Sequence, residues 1–288
     1  MRSLLFVPGD QPRKIEKGLT SGADVLLVDL EDSVAPANKV AARAVARDAI
    51  AAAKAAGAAP RLFVRVNALD TGLTDDDLDL VMQAGPDGIL LPKALSGMDV
   101  QHLAAKLAVR EAENGLPDGG TVIIAIATET AASLFTMGSY RGATHRLAGL
   151  TWGAEDLSAD LGAETNRTPD GLLTDPYRMA RVLTLFAANA AGVAAIDSVF
   201  TAFRDDAGLA AECAAARRDG FTAKMAIHPA QVPVINAAFT PSAEAVERAR
   251  RIVALFEASP DAGVIGLDGE MLDRPHLLRA QRLLARAG

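Results

Sequence analysis

Eight short apolar runs, separated by segments of helical character, constrain the fold of this chain more than any other sequence feature. DVLLVDLED (24–32) and TVIIAIAT (121–128) are typical, because their apolar residues hardly alternate with polar ones. Strands of this kind are buried on both faces, as in a parallel sheet that is covered by helices. The other runs lie at 3–8, 62–67, 88–93, 147–153, 194–199 and 222–228.

The segments between the runs are rich in helix formers, and several end in glycine. Examples are 37–57 and 175–192, each of which closes on a glycine, a common stop signal for a helix. Eight strands that are each followed by a helix predict a (β/α)8 barrel. A doubly wound open sheet is the alternative. It usually needs fewer strands, and its nucleotide-binding form carries a GxGxxG turn that VPGDQPRK (7–14) lacks.

The end of the chain follows a different pattern. SAEAVERARRIVALFEAS (242–259) predicts a helix, and a second helical segment begins at 274. PDAGVIGLDGEMLD (260–273) lies between them and is glycine-rich and hydrophobic without a helical period. We therefore expect a barrel domain at 1–240 and a C-terminal extension at 241–288, in which two helices flank an ordered excursion, a lid.

Composition excludes several functional classes. The net charge of -7 and the pI near 5.2 leave no broad basic surface, so nucleic acid is not an expected partner. Cys213 is the only cysteine, which rules out an intrachain disulfide, and we interpret it as a packing residue. The N-terminal apolar run is too short for a signal peptide, and no run reaches membrane-spanning length. These features predict a cytoplasmic protein without a membrane partner.

Acidic residues follow several of the predicted strands. Glu31 and Asp32 come at the end of the second strand, Glu129 after the fifth and Asp156 after the sixth. The carboxyl ends of barrel strands form one face, where chemistry takes place. Carboxylates that converge there repel each other, and a hard divalent cation relieves this repulsion. We therefore interpret Glu129 and Asp156 as Mg²⁺ ligands, although each could also be a helix cap or a first-turn acid.

Basic residues at the same face allow two interpretations each. Arg65 lies within the apolar run LFVRVN and could form an ion pair or grip a substrate carboxylate through two hydrogen bonds. Lys93 could be a Schiff-base lysine, but a lysine among several acids stays protonated, which favours a structural ion pair or a supporting role around the metal ligands. Arg13, Lys14 and Lys17 form either a solvated helix face or a site for cofactor phosphates.

Six motifs together resemble a known family. They are RSLLFVPGDQPRKIEKGLTSGADVLLVDLEDSV, RVN, LPK, TET, WGAEDLSADLGA and KMAIHPAQV, in this order along nearly the whole chain. They resemble the citrate lyase β-subunit-like proteins of the HpcH/HpaI aldolase group, which includes malyl-CoA and citramalyl-CoA lyases. The LFVPGD, DLEDSV and GAEDL blocks are specific in combination, whereas TET alone carries no information.

The resemblance implies roles for the residues at the mouth of the barrel. In that family, a (β/α)8 barrel binds Mg²⁺ through two acids that correspond to Glu129 and Asp156. An arginine that corresponds to Arg65 grips the substrate carboxylate. The acidic pair after the second strand corresponds to Glu31 and Asp32, which we expect to hold water molecules around the cation.

The resemblance also implies a lid and an assembly. Lyases of the family carry an aspartate in a C-terminal lid that closes over the active site of a neighbouring subunit, and GLDGEMLDRPH makes Asp268 the candidate here. Family members are commonly trimers or dimers of trimers. Arg13 and Lys17 correspond to positions near the phosphates of CoA.

The implied reaction is the Mg²⁺-dependent cleavage, or formation, of a 3-hydroxyacyl-CoA thioester such as malyl-CoA or citramalyl-CoA. Its products are acetyl-CoA and a 2-oxo acid. Related alternatives are a citrate lyase β subunit that acts on a citryl thioester of an acyl carrier protein, a malyl-CoA thioesterase, and an aldolase for free 2-oxo acids. A non-catalytic, effector-binding barrel is the alternative from another class, and the many acids at the barrel mouth argue against it.

Overall fold

Eight parallel strands close into a barrel in the order in which they occur along the chain. The computed structural model describes residues 1–57 and 60–287. The predicted (β/α)8 barrel is therefore confirmed. The strands are β1 Ser3–Pro8, β2 Val25–Asp29, β3 Arg61–Arg65, β4 Gly88–Leu91, β5 Val122–Ile126, β6 Leu147–Thr151, β7 Ala194–Asp197 and β8 Ala223–Ala226.

Helices connect the strands, and their ends follow local sequence signals. Asp205 caps α8 by accepting a hydrogen bond from the Gly208 N–H, and Gly192 ends α7 in the left-handed conformation. The helices of this part of the chain are α1 Pro12–Leu19, α2 Lys39–Ala55, α3 Thr74–Val81, α4 Gly97–Glu113, α5 Ala131–Leu134, α6 Ala154–Leu161, α7 Asp175–Ala191, α8 Asp206–Asp219 and α9 Gln231–Phe239.

Side chains that point inward fill the barrel and form the floor of the site described below. Large and small residues alternate across this interior: a Cβ at Gly88 would lie 2.3 Å from the ring of Phe63, and a Cβ at Gly149 would lie 2.8 Å from Ile196. Barrel interiors are packed in layers of this kind, so they are closed cores and not pores. The buried cluster comprises Leu4, Val25, Leu27, Phe63, Leu90, Ile124, Ile126, Ile196, Ala223 and Met225.

A buried ionic network fixes the wall of the barrel next to the sixth strand. Lys224 is fully buried and donates hydrogen bonds to Asp197 (3.1 Å) and Glu212 (2.7 Å). Asp197 also accepts a hydrogen bond of 2.8 Å from the indole N–H of Trp152. The turn between β6 and α6 is thereby tied to β7 and β8. Cys213 lies beside this network, and burial raises the pKa of its thiol to about 11, in keeping with a packing residue.

The chain divides into two compact units, Met1–Asn236 and the part that begins at Ala237. The second unit consists of α10 Ala243–Ala258, the antiparallel hairpin of β9 Val264–Leu267 and β10 Glu270–Asp273, and α11 Arg274–Ala287. Its own apolar core includes Phe256 and Leu272. The predicted excursion at 260–273 is therefore ordered and largely a hairpin, while its role as a lid stays a prediction. Within the described ranges, no helix is long and apolar enough to cross a membrane.

Candidate active site

Arg65 and Asp29 form a buried ion pair at the carboxyl end of the barrel. The two residues are register partners on β3 and β2, which places both side chains at the same level of the barrel. Arg65 donates from Nε (2.6 Å) and Nη2 (2.7 Å) to the two oxygens of Asp29, and its Nη1 lies 2.9 Å from Glu31 Oε2. Burial would raise the pKa of Asp29, but the hydrogen bonds and charge of Arg65 hold it below its ordinary value.

The arrangement of Arg65 bears on both interpretations of this residue. The ion pair with an acid of the neighbouring strand is present, and the guanidinium also lines a cavity at the barrel mouth. An arginine held by two hydrogen bonds to one carboxylate is fixed in orientation. Arg65 is therefore rigidly placed, and its role as a substrate clamp remains a proposal.

Lys93 links four acids from three different segments of the chain. It follows Pro92 after β4 and adopts the left-handed conformation, with φ of 52°. Its backbone N–H donates to the carboxylate of Glu129, and its ammonium donates to Glu31. The same ammonium lies 3.4 Å from Asp32 Oδ2 and 3.4 Å from Asp156 Oδ1. The predicted ion pair of Lys93 is therefore present.

Glu129 is a buried carboxylate with a strongly altered acidity. Only 3% of its surface is exposed, and a Cβ at Gly153 would lie 2.7 Å from its Cγ, so glycine is required for this close approach. Burial is the main cause that raises its pKa to about 8; the hydrogen bond from Lys93 opposes the shift, and the charges of Asp156 and Glu31 add to it. The alternative of a helix cap is wrong for Glu129, because Thr130 caps α5.

Asp156 lies in the first turn of α6, as the alternative interpretation of this residue required. Its side chain is about one third exposed, and its Oδ1 lies 3.4 Å from the ammonium of Lys93. Asp156 and Glu129 line the same cavity of about 90 Å³. Asp156 is therefore both a first-turn residue of α6 and a residue that lines the cavity.

The cavity has an apolar floor and a polar rim. Phe6, Ile126 and Met225 form the floor, and Thr151 lines it beside Glu129. The buried Thr151 hydroxyl has no hydrogen-bond partner among the described residues, so it is available to a bound molecule. A second, shallower depression of about 600 Å³ lies along 201–205, but its lining includes none of the clustered carboxylates. Chemistry rather than volume therefore identifies the site.

The donor set fits a hard divalent cation. Over residues 1–57 and 60–287, no group of three or more His, Cys, Asp or Glu side chains is arranged to hold a metal ion. Mg²⁺ does not need such a group, since it commonly takes one or two carboxylates and keeps water in its other positions. Glu129 and Asp156 offer two carboxylates on one cavity. Burial, with a smaller contribution from the charges of Asp156 and Glu31, raises the pKa of Glu129, and a bound cation would stabilise its ionised form. These residues therefore fit Mg²⁺.

The acidity of Glu129 predicts how stability depends on pH when EDTA is present. The pKa of this carboxyl is 4.5 ordinarily and about 8 when folded, so the folded chain holds the proton more tightly. Its contribution to stability is complete below pH 4.5 and is lost as the pH rises towards 8. Glu129→Gln removes the titration, so we expect its melting temperature to exceed that of the unaltered chain by on the order of a few °C at pH 9 but not at pH 5. An equal gap at both pH values would contradict this account of Glu129.

Within the barrel unit, five of the seven predicted site residues converge. The convergent residues are Glu31, Asp32, Arg65, Glu129 and Asp156. Arg13 and Lys17 lie exposed, one turn apart on α1, which begins after β1. Asp268 lies in the C-terminal unit, at the turn of the hairpin, where Arg251 donates to it at 2.8 Å.

The sequence did not reveal two features of the site. Asp29 is the last residue of β2, and its pairing with Arg65 depends on the strand register. The unpartnered Thr151 hydroxyl was missed because nothing distinguishes this residue from other strand threonines. Its one distinctive property in the sequence is its place near the end of a predicted strand, two residues after Gly149, where barrel side chains face the site.

Comparisons with known proteins show which family this chain resembles. The model of the HpcH/HpaI aldolase/citrate lyase family matches residues 2–229. A citrate lyase subunit beta from Leuconostoc mesenteroides is 34% identical over 98% of this chain and 92% of its own length. A (3S)-malyl-CoA thioesterase from Cereibacter sphaeroides is 35% identical over 99% of this chain and 94% of its own length.

A solved structure resembles the whole chain. It is CitE from Mycobacterium tuberculosis in complex with magnesium, acetoacetate and coenzyme A. The TM-score is 0.77 at 34% identity, and the match covers 100% of this chain and 98% of CitE. Together with the eight-stranded barrel and its acidic mouth, these matches show that the chain belongs to the HpcH/HpaI aldolase/citrate lyase family.

Proposed function

We propose that this protein is a Mg²⁺-dependent lyase that cleaves, or forms, a carbon–carbon bond in a 3-hydroxyacyl-CoA thioester such as malyl-CoA or citramalyl-CoA. The products are acetyl-CoA and a 2-oxo acid. The observation that carries the proposal is the convergence of Glu129, Asp156 and Arg65 on one small cavity. The magnesium, acetoacetate and coenzyme A in the similar CitE structure support it.

Glu129 and Asp156 are the residues that would hold the cation. When bound, Mg²⁺ supplies Lewis-acid polarisation of the hydroxyl and carboxylate oxygens of the substrate. Arg65 donates hydrogen bonds to the substrate carboxylate and is kept in orientation by Asp29. Glu31 and Asp32 accept hydrogen bonds from water around the site, which fixes the position of that water.

Two protons move during cleavage. The bond between the hydroxyl-bearing carbon and the α carbon of the thioester breaks, its electron pair stays on the α carbon, and the hydroxyl proton passes to a water molecule of the site. The resulting enolate takes up a proton at carbon to give acetyl-CoA. We assign this protonation to Asp268, supplied by the C-terminal unit (241–288) of a neighbouring copy in a trimer or dimer of trimers. In the synthetic direction, the same carboxylate removes the proton.

Arg13 and Lys17 are the proposed contacts for the phosphates of CoA. Both lie exposed on one side of α1, whose start follows the carboxyl end of β1. They provide local positive charge on a protein whose net charge is -7, and such local charge attracts anionic ligands.

Two related activities are supported by specific relatives. The malyl-CoA thioesterase similarity favours hydrolysis with water as the nucleophile, which yields free malate and CoA. The citrate lyase similarity favours a citryl thioester carried by an acyl carrier protein. Both would use the same cation and the same arginine, so the products and the carrier discriminate between them.

A panel of thioesters tests the proposal. Malyl-CoA, citramalyl-CoA, citryl-CoA and a citryl acyl carrier protein are incubated with Mg²⁺, and the 2-oxo acid and the free CoA thiol are quantified separately. We expect equal amounts of 2-oxo acid and acetyl-CoA from a CoA thioester, without free thiol. Free malate and thiol without glyoxylate would instead indicate a thioesterase, and turnover of the carrier-bound substrate alone would indicate a citrate lyase subunit. Absence of turnover throughout would reject a catalytic role.

A further inference from the structure

Lys93 contacts all four acids of the proposed site, yet the proposed reaction gives it no task. Its ammonium reaches Glu31, Asp32 and Asp156, and its backbone N–H reaches Glu129. The ammonium is about one third exposed, so it borders the site rather than lying in the core.

The backbone of Lys93 is held in a conformation that costs free energy. Lys93 and Asp268 are the two non-glycine residues with positive φ in the described ranges. The left-handed region is unfavourable for a lysine, and such strain persists where the surroundings over-determine it, often at functional sites. Here the conformation lets one residue direct its N–H at Glu129 and its ammonium at the other acids.

Nucleophilic chemistry does not account for this placement. The Lys93 ammonium donates to Glu31 and lies 3.4 Å from both Asp32 and Asp156, and carboxylates this close favour the charged form of a lysine. The amine is therefore protonated and its hydrogen bonds are directed at carboxylates, so it cannot attack a carbonyl. What remains is a fixed positive charge.

A fixed positive charge acts with opposite signs on the two ligands of the site. It repels a divalent cation held by Glu129 and Asp156, because it lies 3.4 Å from an oxygen of Asp156. It attracts an anionic 2-oxo acid that enters the same cavity. If Lys93 only supported the local structure, its removal would change the binding of the cation and of the 2-oxo acid in the same direction.

We propose that Lys93 is a positioning residue that holds Glu129 through its left-handed backbone, while its charge weakens cation binding and strengthens binding of the anionic 2-oxo acid. The inference rests on the proposed function for the identity of the two ligands. Binding is measured without turnover, so the two proposals can fail separately.

The test compares Lys93→Met and Lys93→Arg with the unaltered chain at low ionic strength. Met keeps a side chain of similar length and the same backbone strain but removes the charge, whereas Arg keeps the charge. Binding of Mg²⁺ is measured by calorimetry. Binding of pyruvate at saturating Mg²⁺ is followed by the fluorescence of Trp152, the only tryptophan, which lines the cavity.

We expect Lys93→Met to bind Mg²⁺ at least ~5-fold more tightly and pyruvate at least ~5-fold more weakly, with both shifts decreasing in high salt. Lys93→Arg should stay within about twofold of the unaltered chain for both ligands, since its charge is unchanged. Lys106→Met is the matched control, because this partly buried lysine on α4 pairs with Asp75 on α3, and neither residue lines the cavity. It should change neither constant.

Shifts of the same sign, no shift, or weaker Mg²⁺ binding by Lys93→Met would overturn the assignment. If Lys93→Met does not fold, Lys93→Gln is judged by the same criterion. Should the unaltered chain bind no Mg²⁺, both proposals fail. If the unaltered chain binds Mg²⁺ and Lys93→Met shows the expected tighter Mg²⁺ binding and weaker pyruvate binding, but no thioester is cleaved, only the proposed reaction fails.

Discussion

Glu129→Gln and Asp156→Asn are each expected to abolish Mg²⁺-dependent cleavage while the barrel stays folded. Each change replaces a charged oxygen by a neutral amide of nearly the same shape, so packing is preserved. Glu129 is buried against Gly153, and glutamine fills the same space. Loss of a ligand removes several kcal/mol of charge stabilisation, which corresponds to a loss of about 10³-fold or more in kcat/KM.

Three measurements separate a lost ligand from a lost fold. Circular dichroism and thermal melting in EDTA report the fold, calorimetry reports Mg²⁺ affinity, and trapping of the 2-oxo acid reports cleavage. Asp79→Asn is the matched control, since Asp79 is an exposed acid on α3 that pairs with Arg110. It should leave affinity and cleavage unchanged.

The assignment has a clear point of failure. If either variant keeps Mg²⁺ affinity and kcat/KM within tenfold of the unaltered chain, that carboxylate does not hold the cation. The proposed function would then need a different pair of ligands. Glu31 and Asp32 would be the next candidates, because both reach the same ammonium of Lys93.

The barrel and its acidic mouth follow from the sequence for a simple physical reason. Apolar runs such as 24–32 and 121–128 suit only strands that are buried on both faces, and parallel strands place their carboxyl ends on one face. The observed strands are shorter, Val25–Asp29 and Val122–Ile126. The residues that follow each strand form the turns, and these turns carry Glu31 and Glu129.

The contacts among the site residues were beyond the sequence. The pairing of Arg65 with Asp29 depends on a strand register that only the closed barrel fixes. The path of Lys93 depends on a positive φ, which a lysine after a proline does not signal. Local sequence patterns describe neighbours along the chain. The Arg65–Asp29 pair and the conformation of Lys93 depend instead on contacts between residues from different strands and turns.

The hairpin in the C-terminal unit was within reach of sequence reasoning. Asp-Gly between two short apolar segments is a strong signal for a tight hairpin turn, and Asp268 and Gly269 adopt φ of 50° and 84°. The sequence does not predict which side chains contact Asp268. Arg251 donates to one of its oxygens at 2.8 Å and Arg248 lies 3.8 Å from the other, so the carboxylate is held by two turns of α10.

Asp268→Asn is expected to keep substrate binding and to lose carbon–carbon chemistry. Asparagine tolerates the left-handed turn and can still accept a hydrogen bond from Arg251, so the hairpin should persist. It cannot exchange a proton with the α carbon of the thioester. A lost general acid or base typically reduces the rate by about 10²–10⁴-fold.

Proton exchange measures this step directly. In D₂O with Mg²⁺ and glyoxylate, the unaltered protein should introduce deuterium into the methyl group of acetyl-CoA, whereas Asp268→Asn should not. Glu270→Gln is the control on the same hairpin, because Glu270 pairs with Arg248 but is not assigned to the reaction. Cleavage and deuterium uptake by Asp268→Asn at the level of this control would remove the hairpin from the mechanism.

Mixing two inactive variants tests whether Asp268 acts on a neighbouring copy. An oligomer of Asp268→Asn and Glu129→Gln chains contains sites in which the barrel of the first variant meets the hairpin of the second. Such sites are complete only if the two units of one site come from different copies, and random mixing in equal amounts then restores about a quarter of full activity. If the hairpin serves its own barrel, every site lacks one group and mixing restores nothing.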